Sequence, residues 1–228
     1  MKKSTILIFS AILCLIGCKE NKKEVLAASK TEPSILEKVA NAHGFEHFKD
    51  VSEIAFTFNV DRDTQHSHRS WVWHTATNDI ESLNNGEKIL YNRTKIDSSV
   101  AKTDAGFIND KYWLLAPFNL VWDKDNITYV HEKEVPAPIS NKPMQKLTIV
   151  YGNKGGYTPG DAYDLYFGPD LILREWVYRK GNQKEASLAT TWENYTDIHG
   201  LKIAQLHQNA DSSFKLYFTD LQVNTKQP

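Results

Sequence analysis

A succession of ten short β-rich stretches is the feature that most constrains the fold. Turn-forming sequences separate them, as at Asn84-Asn85-Gly86 and Gly168-Pro169-Asp170, because Gly, Asn, Asp and Pro favour turn conformations. The stretches are residues 51–60, 69–77, 88–92, 126–131, 146–151, 161–167, 171–179, 188–195, 201–208 and 214–223. Strands joined by short turns indicate an antiparallel meander rather than a parallel βαβ sheet. We therefore predict a mainly β (α+β) domain of about ten antiparallel strands.

Two other segments are predicted to be helical. Ser34 and Glu37 have the spacing of a capping box, apolar residues follow at helical spacing, and Gly44 is placed to end this helix. We interpret His43 as a structural residue near its C-terminal end, favourable against the helix dipole. Residues 110–122 are apolar nearly all round and split by a proline. They are predicted to be a buried helical turn, or a flap lying on the sheet.

The N-terminal residues have the pattern of a secretory signal. Lys2 and Lys3 precede an apolar stretch over residues 6–16, which is too short for a membrane-spanning helix. The ending Leu15-Ile16-Gly17-Cys18 resembles the lipobox of bacterial lipoproteins. This resemblance implies that the thiol of Cys18 is acylated and that the chain is cut before it. The alternative is an ordinary signal peptide with a chance cysteine.

Three segments follow from these patterns. Residues 1–17 are predicted to be a lipoprotein signal peptide, and residues 18–31 a lipidated cysteine followed by a flexible tether, since this stretch is charged and then small without periodicity. Residues 32–228 are predicted to form a single domain. The chain would contact the lipid bilayer through the Cys18 anchor, and its lipid chains would contribute about 0.8 kcal/mol for each buried methylene.

Cysteine content and charge exclude several classes of function. The only cysteines are Cys14, within the predicted signal, and Cys18, so the predicted domain has no disulfide and no thiol chemistry. The whole chain has a formal net charge of −1, and removal of Lys2 and Lys3 would make it more acidic. An acidic chain of this kind argues against nucleic acid as a partner.

We predict no metal site, no cofactor and no catalytic residues. His66, His68 and His74 share one parity of a predicted strand, but His74 would lie about 20 Å from His68 along an extended strand at about 3.3 Å per residue. The sequence has no nucleophile elbow, P-loop or dinucleotide-binding glycine pattern. We therefore expect a protein that is not an enzyme, although active sites can also assemble from distant residues.

The aromatic content indicates an apolar binding surface. Six tryptophans, ten tyrosines and ten phenylalanines are present, and several alternate along the predicted strands. An aromatic face of a curved sheet either packs a helix or encloses a ligand. Together these faces offer more apolar surface than one helix and one flap are expected to cover. The predicted ligand-lining residues are Trp71, Trp73, Trp113, Phe118, Tyr163 and Leu165. For any single one of them, core packing is the alternative.

Three stretches together carry a family resemblance: residues 42–51 (AHGFEHFKDV), residues 161–167 (DAYDLYF) before Pro169-Asp170, and residues 192–203 (WENYTDIHGLKI). Their order is similar to a family of uncharacterised bacterial lipoproteins related to the lipoprotein-carrier (Lol) half-barrels. The chain departs from that pattern at Phe45 and Phe48, where a second glycine and a tryptophan are expected.

The resemblance implies a half-barrel, a single curved antiparallel sheet, over about residues 51–223. An N-terminal helix at residues 34–43 and a helical flap at residues 110–122 would lie on its concave face. It also implies that an acyl chain or another hydrophobic ligand is held in the groove between sheet and helices. No functional residue of the carriers aligns with this chain.

These expectations define a membrane-anchored lipoprotein of the bacterial envelope that binds an apolar ligand in an aromatic groove. We expect it at the outer membrane, on the periplasmic side or at the cell surface. Two alternatives stay open. One is a structural or interaction module whose groove is filled by its own flap, and the other is an envelope enzyme of unidentified type.

Overall fold

A computed structural model of the protein describes residues 32–84 and 86–226. The described residues from Pro33 onward belong to one compact unit, which contains all the buried apolar residues described. It therefore contains its own hydrophobic core, as an independently folding domain does. The predicted signal peptide, the Cys18 lipidation site and the tether lie outside the described residues and stay predictions. None of the helices described is both long and apolar enough to cross a membrane.

The described chain contains two α-helices and twelve β-strands. The helices are α1 (Ile35–Ala42) and α2 (Ala101–Trp122). The strands are β1 (Val51–Arg62), β2 (Gln65–His74), β3 (Asp79–Asn84), β4 (Glu87–Asn92), β5 (Ile127–Pro136), β6 (Pro143–Tyr151), β7 (Ala162–Phe167), β8 (Leu173–Arg179), β9 (Leu188–Thr191), β10 (Glu193–Ile198), β11 (Leu201–Gln208) and β12 (Phe214–Thr225).

The strands form two curved antiparallel sheets, neither of them closed. Seven strands have the order β10-β11-β12-β1-β2-β3-β4, and five have the order β5-β6-β7-β8-β9. The mainly β class and the antiparallel, open arrangement are confirmed. The expected single sheet, however, is divided in two within the stretch predicted as one strand over residues 188–195.

The division occurs at Trp192. Its N–H donates to the carbonyl of Arg174 at 2.7 Å, at the end of the β8–β9 pairing. Two residues later, within β10, Asn194 has a φ of +52°, a left-handed conformation that interrupts the regular pairing of the strand. The chain up to Thr191 pairs with β8, and the chain from Glu193 onward pairs with β11.

One strand was absent from the prediction. β3 carries a single fully buried apolar side chain, Ile80, and is otherwise mostly polar. It nevertheless pairs along its whole length with β4, and β2 pairs with it on the other side. Tertiary pairing thus overrides a weak local strand propensity.

Helix α1 begins and ends as predicted. Ser34 and Glu37 form a capping box, in which the Ser34 N–H donates to the Glu37 carboxylate at 2.8 Å. The chain then turns at Gly44, whose φ is +89°. A Cβ at this position would lie 1.9 Å from the carbonyl oxygen of Gly200. Only glycine therefore permits this close approach between the end of α1 and the β10–β11 turn.

Helix α2 is longer than the predicted flap, because it begins at Ala101 rather than near residue 110. It is interrupted at Leu115 (φ −130°, ψ 27°), two residues before Pro117, which has no N–H to donate to the preceding turn. Most side chains from Tyr112 to Leu120 are buried in the main core. Both helices pack on the inner, concave face of the sheets.

Candidate functional site

The inner faces of the two sheets present a layer of apolar and aromatic side chains toward α2. In the seven-stranded sheet, Phe56 is paired with Trp71, and Trp73 with Ile80, so these side chains share one face. In the five-stranded sheet, Tyr163 and Leu165 on β7 likewise share the face that lies toward α2. The alternation of a β-strand places these residues inward and their polar neighbours outward.

All six predicted ligand-lining residues lie in this layer or in α2, and all are buried. Their exposed fractions range from 1% for Phe118 and Leu165 to 9% for Trp113. They belong to one continuous core and are brought together across both sheets. They contact each other and the helix, and Trp71 also lines two cavities next to this layer. Whether they contact a ligand stays a prediction.

Two buried carboxylates fasten the N-terminal half of α2 to the seven-stranded sheet. Asp110, whose side chain is 0% exposed, accepts hydrogen bonds from the Arg69 guanidinium at 2.8 and 2.6 Å and from the Trp71 indole N–H at 2.8 Å. One turn and a half earlier, Asp104 accepts from Arg93 at 2.7 Å and from the Tyr91 hydroxyl at 3.2 Å. These hydrogen bonds attach the N-terminal half of α2 to the seven-stranded sheet, whereas the residues that follow pack mainly through apolar contacts.

A group of stacked tyrosines connects α2 to the five-stranded sheet. Tyr112 lies face to face with Tyr157, with ring centroids 3.6 Å apart, and contacts Tyr163. At the C-terminal end of the helix, the Tyr151 hydroxyl donates to Asp123 at 3.0 Å. Burial raises the pKa of Tyr112 well above its ordinary value, so its hydroxyl stays protonated and neutral.

Two cations of the described residues contact aromatic rings of α2: Arg93 lies 5.4 Å from the ring centroid of Phe107, and Lys111 lies near Trp122, at the C-terminal end of the helix. The Lys111 Nζ lies 4.7 Å from the ring centroid of Trp122 and 5.7 Å from that of Trp73. Burial, followed by the charge of Arg93, lowers the pKa of Lys111 to about 8. The ammonium is stabilised by the ring faces, a cation–π interaction.

Two cavities adjoin this layer. The first, of about 220 Å³, lies at the edge of α2 between Gly106 and strands β2 to β4, and Arg69 and Trp71 line it. The second, of about 400 Å³, lies on the opposite, outer face of the seven-stranded sheet. Its walls include Val72 and Leu83, and the hydroxyl of Thr57 is held there by Asp220 at 2.9 Å.

Of the histidines considered as metal ligands, His66 and His68 are stacked with ring centroids 5.5 Å apart, but His74 has other neighbours. His66 pairs with Asp61 at 2.7 Å, whereas His74 lies 3.2 Å from Glu53. Within residues 32–84 and 86–226, no group of three or more His, Cys, Asp or Glu side chains has the arrangement of a metal site.

His43 is a structural residue, as predicted, but it acts through hydrogen bonds and not through charge. Its Nδ1–H donates to the Val39 carbonyl at 2.8 Å, and its Nε2 accepts from the Leu173 N–H at 3.2 Å. Because a backbone N–H can only donate, Nε2 must be unprotonated. Burial lowers the pKa of His43 to about 4, so this neutral ring cannot act through charge on the helix dipole. It is a structural residue that joins α1 to β8.

Sequence patterns did not indicate the buried polar residues of the site. Asp104, Asp110 and Arg69 carried no recognisable motif, and their partners are 11 to 41 residues away along the chain. The one local hint is the presence of two acidic residues, Asp104 and Asp110, before an apolar helical run, and it does not identify Arg69 or Arg93 as their partners. A helix can bury a carboxylate only when a cation pairs with it, because an unpaired buried charge is costly.

The domain consists of two open, curved antiparallel sheets with helix α2 packed on their inner faces. No protein-family model matches the chain, and no curated protein matches it either. Among solved structures, a DUF1329 family protein from Desulfovibrio piger is similar, with a TM-score of 0.48 and 11% identity over 86% of this chain and 96% of that one. A domain assigned to outer membrane lipoprotein sorting, from Vibrio parahaemolyticus, gives 0.46 and 11% over 85% and 95%. At this level the likeness concerns the course of the chain and transfers no residue role.

Proposed function

We propose that this protein is a lipid-anchored binding protein of the bacterial envelope whose domain binds an apolar ligand between α2 and the inner face of the sheets. The observation that carries the proposal is the way α2 is held. Its middle lies in an aromatic layer, and its hydrogen bonds to the strands and loops come from a few side chains, Asp104, Asn109, Asp110 and Tyr112, and from Asp123 directly after the helix. The helix is therefore held mainly by apolar contacts, which an apolar ligand can replace.

Ligand binding requires α2 to move. The cavity at its edge, about 220 Å³, is smaller than the roughly 300–1,000 Å³ of typical ligand sites. The interruption at Leu115 and the missing N–H of Pro117 divide the helix into two halves, which allows one half to shift while the other stays packed. An apolar ligand would replace the contacts that the helix gives up, with about 25 cal/mol per Å² of buried apolar area as the driving term.

A titration with N-phenyl-1-naphthylamine, an uncharged apolar fluorophore, tests the proposal on the unit Pro33–Pro228. We expect saturable binding that Trp113→Ala weakens by about tenfold or more, because the indole contributes a large share of the apolar contact area. Val130→Ala, at an exposed position on β5, is the matched control and should leave binding unchanged. Near-ultraviolet circular dichroism establishes that each variant is folded. Unchanged binding in a folded Trp113→Ala variant would contradict the proposal.

A second function, that of an interaction module with a self-filled groove, is favoured by one specific observation. The six predicted lining residues are all at most 9% exposed, whereas Leu83 and Leu90 on the outer face are 48% and 64% exposed beside the 400 Å³ cavity. This function predicts no saturable uptake of the apolar fluorophore beneath α2. The same titration therefore separates the two.

A further inference from the structure

Four polar side chains meet where the two sheets adjoin, and their polar atoms have no hydrogen-bond partner. They are Trp176 on β8, Thr190 on β9, Trp192, and His207 on β11; we refer to them as the junction cluster. The unpaired atoms are both indole nitrogens, the Thr190 hydroxyl and both ring nitrogens of His207, one of which approaches the Thr191 backbone without reaching the geometry of a hydrogen bond. All four residues are at most 2% exposed.

The junction cluster is contiguous and lies directly under α2. Trp176 is opposite Thr190 in the β8–β9 register. Ring centroids are 5.2 Å apart between Trp176 and Trp192, and 4.3 Å apart between Trp192 and His207. From the helix, Trp113 lies over the cluster, 4.5 Å from Trp176 and 5.4 Å from His207. Movement of α2 would therefore uncover these groups.

Unpaired buried polar groups need a physical explanation. Leaving a buried donor unpaired costs free energy, and folded proteins pair the large majority of such groups. Apolar residues of the same shape would pack here without that cost. Five unpaired polar atoms on four neighbouring side chains therefore indicate a partner that is present in another state of the protein.

The chemistry of the junction cluster specifies that partner. An indole N–H can only donate, and the Thr190 hydroxyl and the one ring N–H of a neutral His207 are further donors. Burial lowers the pKa of His207 to about 3, so none of the four carries a charge at neutral pH. A donor-rich, uncharged site suits an uncharged oxygen acceptor, because an ion would be desolvated without a counter-charge.

We propose that the junction cluster binds the polar end of the ligand, an uncharged oxygen acceptor such as an ester or amide carbonyl at the end of an apolar chain lying under α2. This inference rests on the proposed function and narrows its ligand class. The apolar chain would contact the aromatic layer, while the carbonyl oxygen, which has two lone pairs, accepts from Trp192 and Thr190.

A pair of ligands of equal size tests this assignment. Methyl octanoate and undecane have the same number of heavy atoms, and only the ester has an acceptor. Each is titrated against bound N-phenyl-1-naphthylamine on the unit Pro33–Pro228. We expect the ester to bind about tenfold more tightly, the ratio for one hydrogen bond in a dry site. Thr190→Val and Trp192→Phe should each reduce this preference to about twofold or less and leave undecane affinity unchanged.

Thr57→Val is the matched control, because its hydroxyl is already paired with Ser70 and Asp220 on the outer face. It should leave the ester preference unchanged. Thr190→Val should also melt at the same temperature as the parent or above it, since its hydroxyl has no partner to lose. This second readout shows that the variant is folded.

Two results would overturn the inference while leaving the proposed function in place. One is equal affinity of the parent protein for ester and alkane, and the other is an ester preference that survives both substitutions. Absence of fluorophore binding to the parent protein would overturn the proposed function and this inference together.

Discussion

The guanidinium of Arg69 on β2 donates two hydrogen bonds, of 2.8 and 2.6 Å, to the carboxylate of Asp110 on α2. The carboxylate is completely buried, whereas the Arg69 side chain is 36% exposed. This pair therefore lies at the border between core and solvent, next to the cavity at the helix edge. It fixes the position of α2 over the aromatic layer.

Asp110→Asn should weaken this attachment. The neutral amide cannot balance the charge of Arg69, and its NH₂ group opposes the donors that surround it. We expect a loss of about 2 kcal/mol in the free energy of unfolding, below the 3–5 kcal/mol of a fully buried pair because Arg69 is partly solvated. Urea denaturation measures this loss.

The same variant tests the role of the pair in ligand uptake. If α2 is the cover of the site, Asp110→Asn should increase the rate at which the fluorophore binds, measured by stopped-flow fluorescence. The control is Asp170→Asn, which removes an exposed ion pair with Arg174 and should change stability by less than about 1 kcal/mol. An uptake rate equal to that of the parent, in a variant with the expected loss of stability, would show that the pair is structural only.

Gly44 and Gly160 form a matched pair for testing close backbone approach. Their φ angles are +89° and +87°, but a Cβ at Gly44 would meet the Gly200 carbonyl at 1.9 Å whereas a Cβ at Gly160 would meet nothing within 4 Å. Gly160→Ala should cost about 1–2 kcal/mol, the penalty of a left-handed conformation alone. Gly44→Ala should cost at least about 4 kcal/mol or prevent folding. Thermal melts of similar midpoint would refute the predicted contact.

Two buried neutral histidines predict a loss of stability in acid. Burial lowers the pKa of His43 to about 4 and that of His207 to about 3, from an ordinary value of 6.5. The unfolded chain therefore binds more protons than the folded one below pH 6.5, so stability decreases as the pH is lowered from there toward the folded-state values. Between pH 7 and pH 5, each of the two histidines should lower the free energy of unfolding by on the order of 2 kcal/mol.

His207→Leu isolates one of these contributions. The variant should show a smaller difference in unfolding free energy between pH 7 and pH 5, by on the order of 2 kcal/mol, because the titrating ring is gone. Val130→Ala, at an exposed position on β5, is the control and should keep the parent's dependence of unfolding free energy on pH, because it removes no titratable group. Identical slopes in all three proteins would show that His207 is not held neutral by burial.

Local patterns in the sequence were sufficient for most of the strands and for α1. The capping box at Ser34 and the left-handed turn at Gly44 depend on a few adjacent residues, and alternation places Trp71 and Trp73 on one face. The interruption at Trp192 was not predictable in the same way. It depends on pairing with β8 on one side and β11 on the other, which are contacts between distant segments.

The candidate site was predictable in its apolar part only. Aromatic residues at alternating positions indicate an inner face, and the six predicted residues do lie in one layer. The polar part depends on tertiary neighbours. Asp110 is recognisable only through Arg69, and the unpaired atoms of Trp192 and His207 only through the absence of any partner among the residues described. Neither property is visible in the order of residues.

Native mass spectrometry detects an apolar molecule bound beneath α2 without any reporter dye. The unit Pro33–Pro228 is incubated with methyl octanoate; one portion is transferred gently to the gas phase for mass measurement, and a second is extracted with organic solvent to identify what it carries. We expect a one-to-one adduct that Trp113→Ala reduces and Val130→Ala does not. A protein that stays free of ligand at saturating ester, or one whose adduct survives Trp113→Ala undiminished, would contradict the proposed binding beneath α2.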